Sequence, residues 1–158
     1  MANTQSMCTS FMGELMTATH NFGTAPTRGT SAADTFKAAL FLASATIDAS
    51  TTAYSATGEV SGSGYTAGGI AVTAATPPTA TNASATAGVA FFTPSASLVY
   101  TSVTLATAFD AVLIYNSTQG NKAVSVHTFG SQTITAGTFT LTMPADTTST
   151  ALLRLATT

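Results

Sequence analysis

The sequence predicts an all-β protein with an antiparallel β-sandwich or jelly-roll-like fold and a short N-terminal helix. Roughly eight or nine short apolar runs recur about every ten residues, separated mostly by polar or Gly-containing segments of turn length. The helices that parallel crossover connections would need do not occur between these runs. We therefore expect an N-terminal helix and arm over residues 1–33 and a β-sandwich domain over residues 34–158.

The clearest signal is a β-hairpin over residues 109–129, FDAVLIYNSTQGNKAVSVHTF. From Phe109 to Asn116 the side chains alternate in a period of two, and apolar groups occur in both sets, which is typical of a strand covered on both faces. Residues 117–121 form a Gly-containing loop of hairpin length, and a second strand follows up to Phe129. The pattern places this hairpin near the middle of a sheet.

Residues 4–22 predict an amphipathic helix, with Thr4 as its cap and Gly23 as its stop. Apolar residues recur at helical spacing along one side of this segment: Met7, Phe11, Leu15 and Phe22. Two interpretations follow. The side chains can pack on the domain's own sheet, or they can bind a neighbouring subunit, and we therefore treat the four as candidate partner contacts.

A first core strand is predicted over residues 34–43, and a long polar excursion over residues 44–69 contains a short strand around residues 59–60. Loops of this length inside one domain are often functional. Tyr54 and Tyr65 lie in the excursion and complete the set of candidate partner contacts.

The remaining chain predicts further short strands joined by loops. The strands lie at 69–73, 89–93, 98–105, 130–137, 137–144 and 151–156, and residues 74–87, which contain Pro77-Pro78, form an exposed loop. Residues 137–144 alternate most clearly, with Phe139, Leu141 and Met143 predicted to face inward and the intervening threonines outward.

Composition narrows the possible partners. The chain has 158 residues, 6% charged and 45% hydrophobic, with a formal net charge of −2, so it is long enough for one folded domain whose surface carries hydroxyls in place of ions. Its few Lys and Arg residues are scattered singly, which argues against direct nucleic-acid binding. A nearly neutral surface suits a subunit whose surface is covered by other subunits, and we expect a homo-oligomer.

The cysteine content and the apolar runs exclude other classes. The single Cys8 cannot form an internal disulfide, and no Cys/His cluster has the spacing of a zinc site, so we expect no metal or other cofactor. No signal-peptide pattern and no apolar run of about 18 residues is present, so we expect no membrane association and assembly in a cytoplasm.

A catalytic site is not indicated. His127 and Asp110 lie on facing strands of the predicted hairpin, so a Ser-His-Asp relay is conceivable, but serines and threonines are abundant enough for this proximity to arise by chance. We interpret His127 as a hydrogen-bonded strand residue. Asp110 is expected to bind a structural partner such as Arg154, Lys122 or backbone amides. Glycoside hydrolysis would need facing carboxylates in an aromatic groove, and the chain has no Trp.

Three segments of the chain are similar to small structural proteins of tailed bacteriophages. They are DTFKAALFLASATIDASTTAYSATGEVSGSGYTAGGIAVT, FDAVLIYNSTQGNKAVSVHTFGSQTITAGTFTLTMP and ALLRLA. Such proteins carry a TAYSATGEVSGTGYTAGG block followed by ALIYN, NKAVAVLDFG, GTFTLTMP and IIRIA. The resemblance covers roughly residues 34–75 and 106–156, and the chain departs from the pattern at His127 and in its Ala/Thr-rich middle.

The resemblance implies a virion component without catalytic activity. A capsid decoration or cement protein that binds the major capsid protein is the first expectation, and a tail, neck, adaptor or host-binding component is the second. From a different class, a hydrolase or a carbohydrate-binding module remains an alternative. The quoted segments are packing and turn signatures, and no catalytic motif is among them, so they indicate the fold more directly than the function.

Overall fold

The computed structural model describes residues 3–16, 19–22, 33–73, 78–81 and 88–156, apart from the side chains of Thr9, Met12, Gly13 and Met16. Eight strands and one helix occur in these ranges. In chain order they are β1 (Ser6–Met7), α1 (Thr9–Met16), β2 (Phe36–Leu42), β3 (Ile70–Val72), β4 (Thr79–Thr81), β5 (Val89–Phe92), β6 (Leu98–Asn116), β7 (Lys122–Leu141) and β8 (Leu153–Ala156).

The strands form two antiparallel sheets. The larger sheet has five strands in the order β1-β7-β6-β2-β3, and the smaller has three in the order β4-β5-β8. The prediction of an antiparallel, mainly β structure is confirmed. Apolar side chains link the smaller sheet to the larger one: Leu153 of β8 packs against the core of the large sheet, and the ring of Phe92 on β5 lies 5.1 Å from the ring of Phe22 in the N-terminal segment.

The predicted hairpin is present and is longer than the sequence indicated. Strands β6 and β7 have 19 and 20 residues, so the segments predicted as separate strands at 98–105, 130–137 and 137–144 belong to two continuous ones. Irregularities in the pairing explain the difference. The register between the strands shifts five times, and Ser102 and Ala136 adopt positive φ angles of 54° and 47°. These bulges accommodate polar residues that interrupt the apolar pattern without ending the strands.

Apolar clusters cover both faces of the large sheet. On β2, Ala39 and Phe41 contribute to one cluster, while Ala38 and Leu40 contribute to the other. The alternation follows from the period of two in an extended strand. The prediction that the hairpin strand is covered on both sides is confirmed, because every residue from 111 to 116 is buried.

The N-terminal segment differs from its prediction. A helix was predicted over residues 4–22, but residues 6–7 form β1, which pairs with Val126 and Ser125 of β7. The backbone amide of Cys8 then donates to the carbonyl of Val124 at 3.1 Å, and α1 covers eight residues. The open edge of β7 offers unpaired backbone groups, and bonding to them outweighs the local helical pattern.

The two long connections also differ in part from the predictions. The excursion over residues 44–69 is held to the large sheet by three isolated bridges, Phe41↔Glu59, Ala53↔Lys122 and Ser63↔Thr104. In the predicted loop over residues 74–87, Thr79–Thr81 form an exposed edge strand, and residues 74–77 and 82–87 lie outside the described ranges. Most of the predicted arm, residues 23–32, also lies outside them.

Candidate functional site

The four apolar candidates of the N-terminal segment contact the core of their own chain. Phe11 is buried, with 2% of its surface exposed, and Met7, Leu15 and Phe22 pack partly buried against the same cluster. Phe11 therefore offers almost no surface to a partner. The other three side chains keep exposed area, and their role in binding a neighbour stays a prediction.

Phe11 and Phe22 belong to a group of rings that fixes the N-terminal segment on the sheet. The Phe22 and Phe36 rings stack with centroids 4.3 Å apart, and Phe11 meets His20 edge-on at 4.9 Å. Offset and edge-on arrangements of this kind are the favourable geometries for aromatic pairs. The segment is thus part of the fold.

An apolar groove lies beside this ring group. It has a cavity volume of about 90 Å³ and is bordered by Leu15 and Phe22 on one side and by Phe91, Leu153 and Leu155 of the smaller sheet on the other. Leu155 is 41% exposed, a large value for a leucine next to a core. The residues that line the groove are all apolar.

The two tyrosine candidates bind one carboxylate. Tyr54 and Tyr65 donate from their hydroxyls to the two oxygens of Glu59 at 2.6 and 2.7 Å, and the amide of Gly68 donates to Glu59 at 2.8 Å. Burial, followed by the bond to Glu59, raises the pKa of both tyrosines. These bonds hold the excursion against the sheet, so both rings have a structural role.

The same tyrosine cluster is tied to the strands beneath it. The Tyr54 ring stacks on Tyr115 at 4.6 Å, and the Tyr115 hydroxyl donates to the carbonyl of Gly68 at 2.7 Å. The Tyr65 hydroxyl also accepts from the amide of Leu40 at 3.0 Å. All four tyrosines of the chain point into this region, because Tyr100 stacks against Tyr65 at 6.0 Å.

A second polar cluster joins the N-terminal segment to the end of the hairpin. Asn116 is fully buried, and its Nδ2 donates to Oδ2 of Asp34 at 2.7 Å and to Nδ1 of His20 at 3.1 Å. Its Oδ1 accepts from the amides of Thr118 and Gln119. Because the backbone fixes the orientation of the Asn116 amide, Nδ1 of His20 must act as an acceptor.

The cluster continues from His20 to a charged pair. Nε2 of His20 lies 2.7 Å from Oε2 of Glu14, and Nζ of Lys122 lies 2.6 Å from Oε1 of Glu14. Burial opposes ionisation of Glu14, but the hydrogen bonds from Lys122 and His20 outweigh it and lower the pKa of the carboxyl. On the other side, Nε2 of Gln119 donates to Oδ1 of Asp34 at 2.9 Å. Each acidic group is therefore occupied by structural donors.

The two residues considered for a relay have separate partners. Asp110 accepts from Nδ2 of Asn3 at 2.6 Å, so its partner is neither Arg154 nor Lys122. His127 lies 2.9 Å from the Ser125 hydroxyl through Nε2, and burial lowers its pKa from 6.5 to about 4. Ser125 is 1% exposed. A histidine with so low a pKa is a weak base, so this Ser–His pair is poorly suited to acyl transfer.

The described residues give little support to a metal-binding site or to a reactive thiol. No group of three or more His, Cys, Asp or Glu side chains in those ranges is placed to hold a metal ion. Cys8 is buried, and burial followed by repulsion from Asp48 and Glu14 raises its pKa to about 11, so the thiol is a poor nucleophile. Within the described ranges, no helix is both long and apolar enough to cross a membrane.

Several residues that organise these clusters were not singled out by the sequence patterns. Asn116 lies in a segment whose apolar neighbours dominate the periodicity, and Asn3 precedes the predicted helix. One signal was present for Asn116: a polar residue ends an uninterrupted buried strand directly before a hairpin loop, where its amide can bond loop backbone.

Neither family models nor curated proteins nor solved structures give a match to the chain. The interpretation of the fold and of the two polar clusters therefore rests on the geometry of this chain alone.

Proposed function

We propose that this protein is a structural component of a tailed-bacteriophage virion, and that it is a capsid decoration protein that binds and stabilises the shell of the major capsid protein. The proposal places the chain in the virion, as one of many copies, after assembly in the bacterial cytoplasm. It involves no catalysis and no cofactor.

The proposal rests on the observation that the acidic groups of both polar clusters are hydrogen-bonded to donors of the same chain. Glu59 is occupied by Tyr54, Tyr65 and Gly68, while Glu14 and Asp34 are occupied by donors from other elements. Such an arrangement stabilises a scaffold and leaves a surface of hydroxyl and small apolar groups for contact with other subunits. The similarity of residues 34–75 and 106–156 to phage structural proteins supports the same assignment.

We further propose that the two sheets form a sandwich of the jelly-roll type. Support comes from Leu152 and Leu153, which pack on the core of the large sheet, and from Phe92 of β5, whose ring contacts Phe22, which in turn stacks on Phe36 of β2. Two antiparallel sheets that share an apolar layer have the organisation of a sandwich.

Partner contacts are proposed for the half-buried members of the candidate set. Leu15 and Phe22 border the apolar groove together with Leu155, which is 41% exposed. Burial of such a patch contributes roughly 25 cal/mol for each Å² removed from water, and many identical copies on one shell add their contributions.

The proposal is tested by removing the protein from the particle. Phage that lack the gene should form shells that lose DNA at lower temperature or lower salt than wild-type shells, and addition of the purified protein should restore the resistance. Particles lacking the protein that match wild-type particles in both treatments would refute the capsid-stabilising role.

A further inference from the structure

A polar recess opens where the N-terminal segment meets the end of the chain. It has a cavity volume of about 240 Å³ and is lined by residues 5–7, by residues 125–127 of β7, and by residues 152–154 at the start of β8. Three parts of the chain that are distant in sequence thus contribute to one cavity. The buried Val126 lies among the lining residues, and Gln5, His127 and Arg154 supply its main polar groups.

The recess contains a cation without an acidic partner. Arg154 is exposed, and within the described ranges the close contacts between basic and acidic side chains are those of Lys122 and His20 with Glu14. None of the residues that line the recess is acidic. The guanidinium of Arg154 is therefore open to an external anion.

His127 and Gln5 add neutral donors to the recess. Nε2 of His127 lies 2.9 Å from the Ser125 hydroxyl, and in the described part of the chain Nδ1 of His127 makes no hydrogen bond. When the hydroxyl donates to Nε2, Nδ1 carries the ring proton and acts as a donor. The side chain of Gln5 accepts from Thr128 through Oε1 at 3.4 Å, which leaves its amide nitrogen as a further donor.

We propose that this recess binds a carboxylate, with the guanidinium of Arg154 as the charged partner and Gln5 and His127 as neutral donors. A planar guanidinium matches a carboxylate in a bidentate pair. One guanidinium balances the single charge of a carboxylate, whereas a phosphate dianion would retain an uncompensated charge. The carboxylate comes either from a small free acid or from an acidic side chain of a neighbouring subunit.

The test is an NMR titration of the purified full-length chain with sodium acetate at pH 7, compared with sodium chloride at equal ionic strength. Acetate should shift the Arg154 Nε–H signal and the His127 ring signals saturably, with a dissociation constant in the millimolar range, while chloride should not. Arg154→Gln should weaken acetate binding at least tenfold. Lys37→Gln removes the same charge outside the recess and should leave the binding unchanged.

The outcomes separate the proposal from its alternatives. The proposal is overturned if acetate causes no saturable shift or if Arg154→Gln binds acetate as tightly as the wild type does. It is also overturned if Lys37→Gln weakens acetate binding as much as Arg154→Gln does. If acetate binds and Arg154→Gln still enters particles at wild-type copy number, the ligand is a small free acid; loss of Arg154→Gln from particles identifies a carboxylate of a neighbouring subunit. The titration uses the isolated protein, so its result does not depend on the proposed virion function.

Discussion

At the residue scale, Asn116 shows how one buried amide can connect three parts of a chain. It bonds the backbone of the hairpin loop, Asp34 before β2 and His20 of the N-terminal segment. Each of its polar atoms has a partner, so its burial carries no penalty for unmade hydrogen bonds. The Asn116 side chain therefore stabilises the junction of these three parts of the chain.

Replacing Asn116 by Asp should destabilise the protein strongly. The new oxygen would lie near Oδ2 of Asp34, which now accepts from Nδ2 at 2.7 Å, so a donor would be exchanged for a like charge. We expect a loss of about 3 kcal/mol in the free energy of unfolding, measured by urea denaturation. Asn121→Asp, in the exposed end of the same loop, is the matched control and should change it by less than about 0.5 kcal/mol. Equal effects would contradict the proposed role of Asn116.

We expect the protonation of His127 to make the stability of the protein depend on pH. Burial lowers its pKa from 6.5 to about 4, so the folded protein binds the proton less readily than the unfolded chain. Neutral His127 therefore makes its full contribution to the free energy of unfolding above about pH 6.5. As the pH falls from 6.5 to 4, this contribution is lost, and the free energy of unfolding decreases by about 3 kcal/mol.

The variant His127→Gln isolates this contribution, because glutamine does not titrate. Urea denaturation between pH 4 and 7 should show a smaller loss of stability in the variant than in the wild type. Parallel pH profiles for the two proteins would show that His127 is not the responsible group.

At the element scale, the N-terminal segment is an integral part of the large sheet. It adds β1 to the edge of β7, and it places Phe11 and Cys8 in the core. The sequence pattern correctly identified its apolar residues but assigned them a continuous helix. Helical periodicity is a local signal, and it cannot report that an open strand edge elsewhere in the chain is available for pairing.

Phe11→Ala should therefore reduce the stability of the whole domain. Removing a buried aromatic ring leaves a cavity, and we expect a loss of about 3–4 kcal/mol in the free energy of unfolding. Val99→Ala, at a position that is 42% exposed on β6, should cost less than about 1 kcal/mol in the same denaturation experiment. A Phe11→Ala protein as stable as Val99→Ala would show that the segment is a detachable arm.

Gly69 controls the entry into β3. Its φ angle is +72°, and a Cβ atom would lie 1.8 Å from the carbonyl oxygen of Ala38 on β2. Gly69→Ala should thus displace β3 from the sheet and lower the thermal midpoint by more than about 5 °C. Gly130→Ala, where a Cβ would meet no atom within 4 Å, should leave the midpoint nearly unchanged. Equal midpoints for the two variants would refute this role.

The strands near the hairpin were the most predictable elements because burial on both faces leaves a clear pattern. Continuity of β6 and β7 was not predictable, since bulges such as those at Ser102 and Ala136 depend on the partner strand. The clusters around Glu59 and Asn116 were missed for a similar reason. Their members are separated by up to 108 residues, and single-sequence spacing carries no information on such contacts.

At the scale of the whole molecule, the protein combines a weakly charged surface with internally satisfied polar clusters. Its formal net charge is −2 and 6% of its residues are charged, so repulsion between copies is small. This combination suits a component that is repeated many times on a shell, where each copy contributes a modest contact area.

The proposed virion role is tested most directly by the copy number of the protein in purified phage particles, measured by quantitative mass spectrometry relative to the major capsid protein. We expect a number of copies comparable to that of the major capsid protein. A handful of copies per particle would indicate a tail or neck component, and absence of the chain from purified particles would contradict the assignment as a virion structural protein.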